Sequence, residues 1–112
     1  MDANQIEVLI DSINAELPFT PPFQYKKFDE APFPLTFSEN VDYLGDWSAH
    51  CLQPYSKIEW FCVRPQYLKS VGRLVPAKVI SCEVEFIKLL QSLKVPFQSQ
   101  GDTVFIYCNK NN

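Results

Sequence analysis

Glycine is scarce in this chain, with three in 112 residues. A phosphate cradle needs glycines where backbone amides approach an anion closely, so a glycine-rich nucleotide loop is excluded. There is one histidine, His50, and no HExxH or Ser/His/Asp order from which to build a zinc protease or a hydrolase triad. The four cysteines, at 51, 62, 82 and 108, form no CxxC or CxxH pair, so neither a structural zinc site nor any other metal or cofactor is expected. No apolar run approaches the roughly 20 residues that span a bilayer, and Met1–Gln5 lacks the basic and apolar regions of a signal peptide. The expectation is a cytoplasmic protein with no membrane partner, its four thiols free in a reducing compartment and serving as small buried apolar residues.

Bulk and aromaticity are abundant. Hydrophobic residues make up 46% and charged residues 21%, a globular balance, and the length suits one domain over 1–112. Nine Phe, five Tyr and two Trp can supply a core; the nine prolines lie in the first 96 residues. Charge is divided unevenly: residues 1–56 hold nine acids and two bases, residues 57–112 four acids and eight bases. A pI near 5.0 argues against nucleic acid as a direct partner and suits a basic protein.

Ile6, Leu9, Ile10, Ile13 and Leu17 mark one stripe of a helix over 4–17, with Asn4 as N-cap and Pro18 as stop. Residues 18–46 are broken by Pro18, Pro21, Pro22, Pro32 and Pro34 and filled with aromatics. That predicts an ordered loop with one short edge strand at 23–28. Trp47–Leu52 and Lys57–Arg64 read as a hairpin turning at Gln53–Ser56, with Ile58, Trp60 and Cys62 on the buried face of the second strand. Residues 66–78 look irregular. Ser81 predicts the N-cap of a helix over 82–94, with Phe86, Leu89, Leu90 and Leu93 as its apolar stripe. Thr103–Cys108 reads as a last strand, preceded by a turn at 100–102 and flanked by an edge strand at 95–98. The fold class is α+β: one mostly antiparallel sheet of four to five strands, with the two helices packed on it.

Few residues offer chemistry. His50 and Cys51, as neighbours on a strand, would point to opposite faces and form no dyad. Glu59, inside the strongest strand, needs a cationic partner, for which Arg64, Lys57 and His50 are the candidates. The segment Asp29–Asp46 holds Asp29, Glu30, Glu39, Asp42 and Asp46 with no Lys or Arg, and displays Phe33, Phe37 and Tyr43, with Trp47 adjoining it. Acids steer a partner and aromatics anchor it, so this alternation is an interface pattern as well as a solvated loop whose rings cap the core.

Pro21-Pro22-Phe23, Trp47-x-x-His50, Tyr55-x-x-Ile58-Glu59-Trp60 and Val104-Phe105-Ile106-Tyr107 together resemble, over roughly residues 20–108, a bacterial family of small domains found as immunity proteins beside polymorphic toxins, including contact-dependent inhibition loci. That resemblance implies no catalytic apparatus and a monomer favoured over an oligomer. It also implies a cognate protein toxin, basic and nuclease-type, bound stoichiometrically; the contact residues expected from the acidic and aromatic pattern itself are Asp29, Glu30, Glu39, Asp42, Tyr43, Asp46, Trp47 and Glu59. The alternatives left open are a small enzyme or a regulatory adaptor with a pocket around Glu59 and His50.

Overall fold

The computed structural model describes residues 1–48 and 50–109. Helix α1 spans Ala3–Glu16. Its start is set by Asp2 rather than Asn4: the Asp2 carboxylate accepts from the Gln5 amide at 2.8 Å, and the Gln5 side chain accepts from the Asp2 amide at 2.9 Å. This reciprocal box satisfies two free donors, which Asn4 inside the first turn cannot do. Ile6, Leu9, Ile10 and Ile13 are buried, as their spacing requires.

Four strands form the main sheet, β1 (Phe23–Lys27), β2 (Ile58–Val63), β5 (Gln98–Gln100) and β6 (Thr103–Tyr107), in the order β1-β2-β6-β5 and antiparallel throughout. Strands β3 (Gln66–Lys69) and β4 (Lys78–Ser81) make a separate hairpin. Helix α2 spans Glu83–Ser92. The α+β class with two helices on an antiparallel sheet is therefore observed, with six strands among the described residues.

The expected hairpin of 47–52 with 57–64 does not form. His50–Leu52 and Tyr55–Lys57 are short 3-10 turns, and Ala49 lies outside the described residues. Both edges of β2 are taken, by β1 on one side and β6 on the other, so the segment before it has no ladder to join. Trp47 and Leu52 instead drop into the core as single anchors. Residues 66–81, expected to begin irregularly, pair as β3–β4; Gly72 and Pro76 sit in the connection between the strands, not within them. The flanking edge strand is 98–100 rather than 95–98, joined to β6 through Gly101 at φ 61°, a conformation that only glycine adopts without strain. Helix α2 starts one residue later than expected, yet the Ser81 hydroxyl still accepts from the Glu83 amide at 3.2 Å.

The facing of β2 also differs from a strict alternation. The register with β1 slips between Lys26 and Lys27, so Ile58 and Phe61, three apart, both face the core. A bulge does this by placing an extra residue in the strand and shifting its phase. Phe61 and Val63 stand opposite Ile106 and Val104, and these four pack with Ile6, Leu9, Ile10 and Ile13 of α1 and Phe86, Leu89 and Leu90 of α2. Trp60 is accordingly not a core residue. It lies half-buried on the other face, edge-on to Phe105 with ring centroids 5.7 Å apart.

Two tests follow from this core. Phe61→Ala should cost about 3–5 kcal/mol, clearly more than Trp60→Ala, when denaturant midpoints are compared. Burial pushes the Cys82 and Cys108 thiols from 9.0 up to about 12, so the fold holds them protonated where the unfolded chain would release the protons. Their contribution is complete below about pH 9 and is lost as pH rises toward 12. Denaturant unfolding at pH 8 and pH 11 (approximate settings chosen to bracket the ordinary thiol range) should show lower stability at the higher value. A Cys82→Ala/Cys108→Ala variant should lose part of that dependence.

Candidate functional site

A run of aromatic rings leads from the core to the surface at the β1 edge. Phe61 meets Trp47 with centroids 5.1 Å apart, Trp47 meets Phe23 at 4.0 Å, Phe23 meets Tyr25 at 6.1 Å, and Tyr25 meets Phe33 at 5.9 Å. Its inner end is fixed by the Trp47 indole, which donates to the Pro21 carbonyl at 2.9 Å. At its outer end Tyr25 and Phe33 exchange backbone bonds of 2.8 and 2.9 Å, tying the proline-rich loop to the strand edge.

Between this run and residues 43–46 lies a cleft of about 370 Å³, lined by Phe23, Tyr25, Phe33, Tyr43, Leu44 and Asp46 among others. Gly45 makes the close wall. Its amide donates to the Thr20 carbonyl at 3.0 Å, and a Cβ there would stand 2.2 Å from the Pro21 carbonyl and 2.7 Å from the Phe23 ring. Only a residue without a side chain lets the segment approach β1 so closely. On the other side of Phe33 a second hollow of about 630 Å³ is lined by Tyr25, Lys27, Glu30, Ala31 and Leu35, among others. Phe33, 63% exposed, lines both; Leu35, 73% exposed, lines the second only, and Tyr43 and Leu44 are also exposed.

The Tyr25 hydroxyl is held protonated well beyond its ordinary range, pushed up to about 12, chiefly by burial, then by the neighbouring Cys51 thiol and the Glu30 carboxylate. It enters the cleft as a neutral donor, suited to hydrogen bonding and not to base chemistry at neutral pH.

The structure distributes the residues singled out from sequence unevenly. Asp46 and Tyr43 line the cleft and Glu30 lines the adjoining hollow. Asp42 is exposed next to Tyr43, and Glu39 is exposed further along the same loop. Asp29 is exposed with φ 63°, so its first role is to turn the chain after β1. Trp47 is no surface anchor: at 1% exposed it is the buried floor behind Phe23. Glu59 lies away from the cleft, paired with Lys26 at 2.6 Å rather than with Arg64, Lys57 or His50. His50 and Cys51 are exposed in a 3-10 turn, so strand alternation no longer governs where they point. Cys51 lines the cleft, but neither His50 nor Glu59 does.

Arg64 was missed as a structural centre. It is 5% exposed, lies 4.6 Å from the Phe37 ring centroid, donates to the Ser38 carbonyl and pairs with Asp102 at 3.3 Å. Leu44, which lines the cleft, and Leu35, which lines the adjoining hollow, carry no signal of that placement in the sequence, whereas Phe33 is read there as a displayed anchor. The tight approach of Gly45 carries no local sequence signal beyond the glycine itself.

The whole chain, residues 1–112, matches DUF6678, described as a family of unknown function, and the chain belongs to that family. No curated protein and no solved structure matches it.

Gly45→Ala should open the cleft wall and cost about 1–3 kcal/mol through overpacking, read as a lowered denaturation midpoint. Thiol titration of the native protein should find one fast group, Cys51, and three slow ones, Cys62, Cys82 and Cys108, with all four reacting after denaturation. More than one fast thiol would contradict the burial of the other three.

Proposed function

We propose that this chain is a stoichiometric binding protein of the immunity type, receiving an apolar side chain of a basic protein toxin in the cleft between β1 and residues 43–46. The observation that carries this reading is one surface with both ingredients of an interface. Phe33, Tyr43 and Leu44 are exposed around the cleft and Leu35 in the adjoining hollow, and every ionised side chain from residue 29 to residue 46 is acidic. Aromatic and aliphatic anchors in a pocket supply most of the energy of such contacts, while unbalanced charge raises the encounter rate and rejects wrong partners. The neutral Tyr25 hydroxyl and Asp46 offer one donor and one acceptor in the cleft to fix the register of what enters.

The test is association kinetics with a basic, nuclease-type toxin domain, at two ionic strengths. Asp46 is a poor site for charge reversal, because its carboxylate accepts from the Ser48 amide at 3.0 Å. Glu30→Lys with Asp42→Lys changes exposed charges only. The double variant should slow association about tenfold and flatten its salt dependence. Leu44→Ser should mainly speed dissociation. Kinetics unchanged in both variants would overturn the assignment of this cleft.

A further inference from the structure

The β3–β4 hairpin is chemically the reverse of the cleft. No acid occurs between Glu59 and Glu83, while Arg64, Lys69, Arg73 and Lys78 do. Arg64 is buried at the base of the hairpin, which leaves three cations on the projecting part. Every residue from 69 to 79 is exposed, so this end of the hairpin stands clear of the protein body. At its far end Leu74 is 97% exposed, with Val71 and Val75 beside it, also exposed.

The strand register adds a second, independent observation. Lys69 and Lys78 are direct cross-strand partners, and directly opposed residues share a face. Neither has an ion pair among the described residues. Like charges so placed repel, and no carboxylate among the described residues pairs with either of them. Lysines at a strand edge also discourage unwanted pairing. That role does not call for a bare leucine at the apex.

We propose that the β3–β4 hairpin is a membrane-contact finger that inserts Val71, Leu74 and Val75 into the interfacial region of an anionic bilayer, with Lys69, Arg73 and Lys78 against the lipid phosphates. The order of the chemistry along the hairpin fits that occupant: aliphatic side chains furthest out enter the acyl boundary while the cations stay at headgroup depth. An anionic surface also neutralises the Lys69–Lys78 repulsion. No spanning segment is needed, so the absence, among the described residues, of a helix long and apolar enough to cross a membrane does not bear on this contact. The surface is separate from the cleft, and the proposal stands apart from the immunity-type reading.

The test is sedimentation of the full chain with vesicles of phosphatidylcholine alone and with vesicles containing phosphatidylglycerol. The chain should pellet with the anionic vesicles only, and less so as salt is added. Lys69→Gln/Arg73→Gln/Lys78→Gln should lower partitioning about a hundredfold. Leu74→Ser should lower it several-fold while keeping the salt dependence. Thermal midpoints should not fall, because these side chains are exposed and the Gln variant removes the Lys69–Lys78 repulsion. The proposal is overturned if anionic vesicles pellet no more protein than a vesicle-free control. It is overturned too if Leu74→Ser pellets like the unaltered chain, since that is a charge-only contact of the kind an acidic protein provides. Leu74-dependent pelleting without vesicles would assign the apex to a second copy of the chain and likewise overturn it.

Discussion

The packing of Trp47 on Phe23 is the contact on which the exposed half of this protein depends. Between β1 and Trp47 the chain runs through a segment whose only strand-like pairing among the described residues is the Tyr25–Phe33 bridge. Fixing such a loop costs backbone entropy at every ordered residue, although the cost of closing it grows only slowly with length. A buried tryptophan removes about 150–250 Å² from water, an upper value of roughly 4–6 kcal/mol. Its N–H bond to the Pro21 carbonyl adds direction to that burial. The anchor fixes where the loop ends, and the absence of a side chain at Gly45 fixes how near it comes to β1. The cleft is the space that remains between these two constraints.

Arg64 performs the complementary task at the other end of the loop. A guanidinium removed from water is costly unless its donors are met. Here Ser38, Asp102 and the face of Phe37 surround it. These partners come from the acidic loop and from the β5–β6 turn, so one side chain at the end of the central strand links two segments far apart in sequence. The Arg64 amide also bonds to the Pro22 carbonyl at 3.0 Å, just before β1. Charge burial at this point buys position more than stability, and it explains why a loop without regular structure holds one shape.

What was legible in the sequence was periodic. The helical stripes at Ile6–Ile13 and Phe86–Leu90 fell where they were expected, as did β1, β2 and β6. What was not legible depended on pairing. Trp47–Leu52 has alternation enough for a strand, but a strand needs a free edge, and β1 and β6 had taken both edges of β2. The placement of Trp60 on the face away from the core followed from a bulge near Lys26 and Lys27, and no property of Ile58–Val63 announces that slip. The acidic segment was legible as charge. Which of its residues line the cleft was not, because Tyr43 and Asp46 are brought to Phe23 by Trp47 and Gly45, whose contacts cross more than twenty positions of chain.

The division of charge along the chain therefore has a spatial counterpart. A net charge of −3 suggests a mildly acidic and featureless surface. The structure instead shows an acidic loop with exposed apolar residues and a basic hairpin with exposed apolar residues. The two are joined at one backbone contact, where the Leu68 amide donates to the Val41 carbonyl at 2.8 Å. Opposite charges so close to one another could collapse into surface ion pairs, but such pairs contribute little and fix long side chains at an entropic cost. The only ion pairs among the described residues are Lys26–Glu59 and Arg64–Asp102, and neither uses a charge of the acidic loop or of the projecting part of the hairpin. The charges on both features stay available to solvent and to what approaches from it. This chain therefore presents two exposed surfaces of opposite sign, each combining charge of one sign with exposed apolar residues.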